Sequence, residues 1–306
     1  MKTYFGLNKV KKFRKAVVAL GVFDGVHIGH RHILRQCASQ ARRINGTSVV
    51  VTFYPHPQGQ LSLYSLKHRL RLIEELGVDV CIVINFTRHF AQISALDFMQ
   101  KILMDKIGAR FIFVGKNFRF GKRAAGEIKL LEKFSTFYGY KVISSGVIKK
   151  DDKPVSSTYV RALITSGKLI QAQKLLQRPV TVYGTVIRGI SLARKIGFPT
   201  ANINPHHEIM PPPGVYAVEI IFDKKNYQGV CNIGKRMVTI HQQRDKYVEV
   251  HIFNFSRNIY GKDLEILFVK KIRQEMDFSG AADFLGYAAG QIKKDIQAAK
   301  NIFSRH

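Results

Sequence analysis

The stretch Gly21-Val22-Phe23-Asp24-Gly25-Val26-His27-Ile28-Gly29-His30 decides how the first half of the chain reads. It joins an apolar run at 16–20 to an amphipathic segment at 31–45. In that segment Ile33, Leu34, Cys37, Ala38, Ala41 and Ile44 share one helical face, and Gly46 is expected to stop the helix. Further Val- and Ile-rich runs at 48–53, 78–85, 110–114 and 140–148 read as buried strands, and 68–76 and 95–107 as helices. Strand alternating with helix at this spacing predicts an α/β domain, a Rossmann-like parallel sheet with helices on its faces. Ligands bind such sheets at the carboxyl ends of the strands, where the quoted stretch lies. Its glycines let backbone N–H groups approach a phosphate, and the next helix aims its positive end at an anion. His27 and His30, three apart, can both face one pocket and stabilise charge on a triphosphate. Two rival readings are a metal pair, which lacks a third ligand, and a tight turn carrying two surface histidines.

Farther along, residues 156–177 read as one helix capped by Ser156-Ser157-Thr158, with Val160, Leu163, Ile164, Ala172, Leu175 and Leu176 on its apolar face. After Arg178-Pro179 the pattern changes. Runs at 180–187, 215–222, 228–233, 247–255 and 264–269 read as strands, with turns at Pro211-Pro212-Pro213-Gly214 and Tyr260-Gly261. No helix follows until about 278–301. This predicts a small antiparallel β-barrel with a C-terminal helix, and two domains, 1–178 and 179–306. In the second, Gly197-Phe198-Pro199-Thr200-Ala201-Asn202 puts two hard oxygen donors, Thr200 and Asn202, two residues apart, suited to Mg²⁺ and phosphate. Glu249 lies between Val248 and Val250. It is either a carboxylate desolvated into a working base or an outward-facing strand residue.

Composition sets limits. The 306 residues include 49 Lys+Arg against 21 Asp+Glu, a net charge of +28, and 46% are hydrophobic. That is a globular chain drawn to polyanions, although its basic residues are spread along it rather than gathered in a tail. Three distant cysteines form no disulfide framework or zinc ligand pair and fit a reducing, cytoplasmic compartment. Residues 1–15 are basic and contain no apolar segment, so no secretory signal is expected there, and no run of 18 apolar residues occurs, so no membrane span is expected.

The quoted stretch resembles the G-x-F-D-G-x-H-x-G-H signature of cytidylyltransferase-like nucleotidyltransferases. Three more segments, Thr52-Phe53-Tyr54-Pro55-His56-Pro57, Phe113-Val114-Gly115-Lys116-Asn117-Phe118-Arg119-Phe120-Gly121 and Val155-Ser156-Ser157-Thr158-Tyr159-Val160-Arg161, narrow the likeness. Together they are similar to the FMN adenylyltransferase module of prokaryotic bifunctional FAD synthetases. That resemblance implies His27 and His30 as catalytic residues. It implies Gly21, Phe23, Asp24, Gly25, Gly29, Ser157, Thr158 and Arg161 as ATP-phosphate contacts, and Asn117, Phe118 and Phe120 at the flavin. The plainer alternatives are core phenylalanines and an ordinary helix cap. The family's arginine after Phe-Gly falls here on Ala124, with Arg123 beside it, and Glu127 replaces an aspartate.

The second half resembles the riboflavin kinase module of the same family. The resemblance implies that Thr200 and Asn202 hold ATP and Mg²⁺, that Gly189 and Arg194 serve the phosphates, and that Glu249 is the catalytic base. It implies that Arg273, within Ile272-Arg273-Gln274-Glu275-Met276-Asp277-Phe278, meets the flavin. Two departures stand out: Met237-Val238-Thr239 after Asn232-Ile233-Gly234-Lys235-Arg236, where the family has Pro-Thr, and Ala193 before Arg194. The implied activity is bifunctional, riboflavin to FMN and FMN to FAD, with ATP as co-substrate and Mg²⁺ as the divalent ion. A variant reading keeps adenylylation and weakens the kinase. A third, a basic RNA-binding scaffold, predicts salt-dependent binding to nucleic acid, but no stacking-platform motif accompanies the charge.

Overall fold

The computed structural model describes residues 1–59, 61–189, 196–206, 208–235, 246–276 and 284–305. They form two compact units, Met1–Val160 and Arg161–His306.

In chain order the first unit contains β1 (Lys2–Phe5), β2 (Ala16–Leu20), α1 (Ile28–Arg43), β3 (Ser48–Tyr54), α2 (Leu66–Glu74) and β4 (Val80–Asn85). Next comes α3, one turn over Ala95–Asp97 continuing as wide π-type turns over Phe98–Ile107. Then follow β5 (Ala109–Gly115), β6 (Arg119–Phe120), β7 (Gly126–Glu127), α4 (Ile128–Tyr138), β8 (Lys141–Ser145) and a short hairpin of β9 (Lys149–Lys150) and β10 (Lys153–Pro154). Six strands make a parallel sheet in the order β1-β4-β3-β2-β5-β8. β2 at its centre is Ala-Val-Val-Ala-Leu, buried throughout, because helices cover both faces of a parallel sheet. β1 escaped the sequence reading: as an edge strand it is only half covered, so Lys2-Thr3-Tyr4-Phe5 carries no apolar run. α4 was missed too.

The end of α1 corrects one expectation. The left-handed residue there is Asn45 (φ 50°), not Gly46. Gly46 donates from its N–H to the Ala41 carbonyl and Asn45 to that of Arg42, the paired bonds of a Schellman motif. Glycine is needed at 46 for close approach, since a Cβ there would stand 2.4 Å from the Lys15 carbonyl oxygen.

The expected single helix over 156–177 is two, α5 (Ser157–Thr165) and α6 (Leu169–Leu176). Gly167 (φ 78°) breaks them, and Lys168 N–H closes onto the Leu163 carbonyl. Ser156 does cap α5, its Oγ accepting from Tyr159 N–H at 3.2 Å.

The second unit continues with β11 (Val180–Ile187), β12 (Ala201–Asn204), β13 (Gly214–Phe222), β14 (Lys225–Lys235), β15 (Lys246–Ile252), β16 (Asp263–Arg273) and α7 (Phe284–Phe303). The strands close an antiparallel barrel in the order β11-β12-β15-β14-β13-β16. Five of them follow the sequence reading; β12 is new, and it contains Asn202. Val182, Val218, Ile220, Cys231, Val248, Val250 and Ile266 are buried in this unit. On another face α7 packs Ile296, Ala299 and Phe303 against Val215, Ala217 and Val230.

Candidate active sites

In the first unit the chain leaves β2 and turns sharply. Phe23 (φ 54°), Gly25 (φ 78°) and Val26 (φ 40°) are left-handed, which costs on the order of 1–3 kcal/mol at each non-glycine residue. Two buried groups hold the turn. Asp24, 1% exposed, accepts the Leu63 N–H on Oδ1 and Oδ2 at 2.8 and 3.0 Å. Arg69 of α2, also 1% exposed, donates to the carbonyls of Val22 (2.9 Å) and Phe53 (3.0 Å). Burial pulls the Arg69 pKa down, and the charge of Asp24 opposes that shift.

His27 is the N-cap of α1, its Nδ1 accepting from His30 N–H at 3.4 Å. The neutral His27 ring therefore carries its proton on Nε2. The two imidazoles stack, centroids 3.7 Å apart, and Phe23 meets His30 edge-on at 5.4 Å. Gly29 lies against His27, a Cβ there standing 3.3 Å from the ring, and a Cβ at Gly21 would stand 3.1 Å from the Phe23 ring. No three His, Cys, Asp or Glu side chains among the described residues could jointly hold a metal ion.

Ser157, 133 residues along, reaches this turn: its Oγ donates to the Asp24 carbonyl at 2.9 Å. Thr158 is exposed beside it. Arg161 follows Ser157 by four residues and so shares its helix face. At the end of β5, Asn117 is exposed and Phe118 half-buried. Phe120 is buried in the core, its ring stacked on that of Phe118 at 5.6 Å. Arg123 and Ala124, both left-handed, lie on an exposed turn beyond them.

In the barrel, register brings distant residues into one row. Asn202 on β12 pairs with Glu249 on β15, and Glu249 pairs with Asn232 on β14. Paired residues share a face, so these three half-buried polar side chains adjoin, while Val248 and Val250 point the opposite way and are buried. Gly189 touches Asn202: a Cβ at 189 would stand 2.0 Å from Nδ2. Thr200 and Ala201 line a cavity of about 410 Å³ with Ile252, Phe255, Arg257 and Tyr260. His251 donates from Nδ1 to the Pro199 carbonyl at 2.9 Å, anchoring the segment that carries Thr200.

Tyr247 bonds both Asn232 Nδ2 (3.3 Å) and Glu275 (3.4 Å). Burial first, then the charges of Glu275 and Glu249, push its hydroxyl up to about 12. Burial raises the Cys231 thiol too, and Glu249 adds to the shift. Arg273 is engaged by Asp295 of α7 through Nε and Nη2 at 2.9 and 2.8 Å, and its Nη1 donates to the Gln274 carbonyl. Among the described residues, three of its five N–H groups thus have acceptors.

A family model described as FAD synthetase matches residues 9–159, and one described as riboflavin kinase matches residues 176–303. A bifunctional riboflavin kinase/FMN adenylyltransferase of Buchnera aphidicola (subsp. Schizaphis graminum) is 35% identical, with 99% of each chain covered. The chain belongs to the bifunctional riboflavin kinase/FMN adenylyltransferase family. Members from Escherichia coli K12 and Bacillus subtilis are 34% and 33% identical, covering 94% and 95% of this chain and 92% and 93% of theirs. A crystal structure described as a macrolide-efflux protein from Streptococcus pneumoniae matches with a TM-score of 0.81 at 27% identity, covering 97% of this chain and 99% of that one. Among the described residues of this chain no helix is long and apolar enough to cross a membrane.

The two family models of the riboflavin kinase/FMN adenylyltransferase family fall one in each compact unit, and each contains one of the two clusters above, except that Arg161 lies just past the first model and the first unit. Arg194, with Ala193, and the Arg236-Met237-Val238-Thr239 and Asp277-Phe278 stretches lie outside the described residues. Arg69 and Asn232 were assigned no role from sequence. Arg69 is one of 49 basic residues and matches no motif. Asn232 lay in a motif, but its place beside Glu249 depends on strand register.

Proposed function

We propose that the chain makes FMN and then FAD in two ATP-consuming steps, one in each unit, with the domain boundary taken at 178. In the barrel, riboflavin and ATP give FMN and ADP. Glu249 accepts the proton of the terminal ribityl hydroxyl as that oxygen attacks the γ-phosphate. The observation that carries this assignment is the row Asn202–Glu249–Asn232, which sets a carboxylate directly beside an ATP-side amide. The 410 Å³ cavity past Thr200 suits a nucleoside: Val186, Ile252 and Ile259 offer apolar walls, Tyr260 an aromatic face, and Ser256 and Asn258 polar groups.

Mg²⁺ accompanies ATP in this reading. The Thr200 hydroxyl and Asn202 amide are neutral oxygen donors that fit an ion completing its shell with phosphates and waters, and the bare Gly189 leaves room at Asn202. The ion supplies charge neutralisation at the phosphates. Arg194 and Gly189 serve the phosphates, and Arg273 faces the flavin.

In the α/β unit, the FMN phosphate attacks the α-phosphate of ATP and pyrophosphate leaves. The work is positioning and charge stabilisation. The α1 N-terminus, Gly21, Phe23, Asp24, Gly25 and Gly29 shape the phosphate cradle, with His27 Nε2–H and His30 aimed at the developing charge. Ser157, Thr158 and Arg161 close it from α5, a reading supported by the Ser157–Asp24 bond. Asn117 and the Phe118/Phe120 pair line the flavin end, Phe118 with the more accessible ring. Three free, buried thiols support a cytoplasmic setting.

The experiment is product chromatography after incubating the full chain with riboflavin, ATP and Mg²⁺. FMN should appear first and FAD after it. A folded preparation that leaves both riboflavin and supplied FMN unchanged refutes the proposal.

A further inference from the structure

Asn232 stands in the row with Glu249, and the hydrogen-bond donors around it settle which way its amide faces. A carboxylate can only accept, so the Tyr247 hydroxyl donates its one hydrogen to Glu275. Its lone pairs then receive an N–H from Asn232, which puts Nδ2 toward Tyr247. Oδ1 is turned the other way. It is buried, and among the described residues it has no hydrogen-bond partner. A buried acceptor without a donor is costly, so one kept at a reaction centre calls for a donor supplied by something that binds there. The device is built into the strand pair: the Tyr247 ring occupies the space over Gly234, where a Cβ would stand 2.2 Å from it.

We infer that Asn232 is a substrate-binding residue of the kinase half, its Oδ1 accepting a hydrogen bond from a hydroxyl of the flavin's polyol chain and so aligning that chain with Glu249. The inference rests on the kinase reading above. Chemistry selects the ligand. Phosphate oxygens are acceptors and have nothing to give Oδ1, whereas a polyol carries a donor on successive carbons. Directly paired residues in antiparallel strands hold their Cβ atoms about 5 Å apart. A hydroxyl one or two carbons from the reacting one falls within that reach.

The test uses the full chain, Asn232→Ala, and initial rates of riboflavin consumption, with lumiflavin, which lacks the polyol, as competing inhibitor. The expected result is a riboflavin KM raised about fivefold, the worth of one net hydrogen bond. The lumiflavin inhibition constant, the KM for ATP and the conversion of FMN to FAD should stay as in the parent. An unchanged riboflavin KM, an equal weakening of lumiflavin, or a rise confined to the ATP KM overturns the inference. Should Asn232→Ala fail to fold, Asn232→Asp takes its place. It keeps an acceptor, so the riboflavin KM should hold within about twofold, while the acid limb of the pH–rate profile moves up because a second carboxylate faces Glu249. An unmoved limb overturns the inference. If the parent chain itself makes no FMN, the kinase reading falls first and this inference with it. If the parent makes FMN and Asn232→Ala matches it, only the inference falls.

Discussion

Replacing Arg69 with Met tests whether one buried cation holds both entrances to the nucleotide cradle. The guanidinium serves two carbonyls. Val22 keeps a second donor, the Thr52 hydroxyl at 2.9 Å. Phe53 lies beyond the pairing of β2 with β3, which ends at Leu20–Val51, and its carbonyl depends on Arg69. An unsatisfied buried carbonyl costs about 1–3 kcal/mol, and a bond from a charged donor is worth about 1.5–3 kcal/mol. Met fills much of the volume and carries no charge to desolvate, which offsets part of the loss. The expected destabilisation of the α/β unit is about 2–3 kcal/mol. With a urea slope near 2 kcal/mol/M, the midpoint falls by roughly 1–1.5 M. Both carbonyls belong to segments that lead into the site, so FAD formation from FMN should fall at least about tenfold under conditions where the variant is still folded. FMN formation from riboflavin should be spared. Arg69→Lys keeps the charge but lacks the planar fork to serve both carbonyls and should lie between the two. A change below about 0.5 kcal/mol together with unaltered FAD synthesis would refute the reasoning.

Glu249→Gln keeps the shape and removes the base; FMN formation should drop by about 10²–10⁴ while FAD formation from supplied FMN persists, and a drop of less than threefold sinks the assignment. His30→Ala removes one imidazole of the stacked pair and should lower FAD formation by about 10²-fold without affecting FMN formation, as read by chromatography of the two products. His251→Ala releases the Pro199 carbonyl and should raise the KM for ATP in the kinase step, leaving the riboflavin KM alone; equal effects on both would place His251 elsewhere in the mechanism. Burial raises Tyr140, Tyr216 and Tyr247 to about 12 from 10. Their neutral forms are favoured in the folded chain, so the stability they contribute is complete below pH 10 and is lost as pH rises toward 12. Ultraviolet titration of tyrosinate should show at least three of the 12 tyrosines ionising only near pH 12; complete ionisation of a still folded chain by pH 10.5 would contradict this.

Much of this protein was legible in the linear chain, and the reason is local. Val-Ile runs separated by amphipathic segments announce a covered parallel sheet wherever they occur, and short strands with Gly and Pro turns announce a barrel. His27 and His30 are three residues apart, and Thr200 and Asn202 two, so sequence distance stands in for spatial distance. That proximity fails over long separations. Ser157 meets Asp24 across 133 residues, a contact that no local pattern announces. Asn202, Glu249 and Asn232 adjoin only through barrel register, where a one-residue slip of β15 would turn Glu249 to the opposite face and break the row. Arg69 resembles any exposed arginine until α2 is seen packed beneath the turn, and β1 has no apolar run because an edge strand buries too little to need one. Periodicity thus settled the two architectures, and short motifs nominated most of the candidate groups. Which groups share a pocket, and which buried polar atoms lack a partner, depended on long-range pairing, because those contacts arise from closing the sheet and the barrel and leave no periodic trace along the chain.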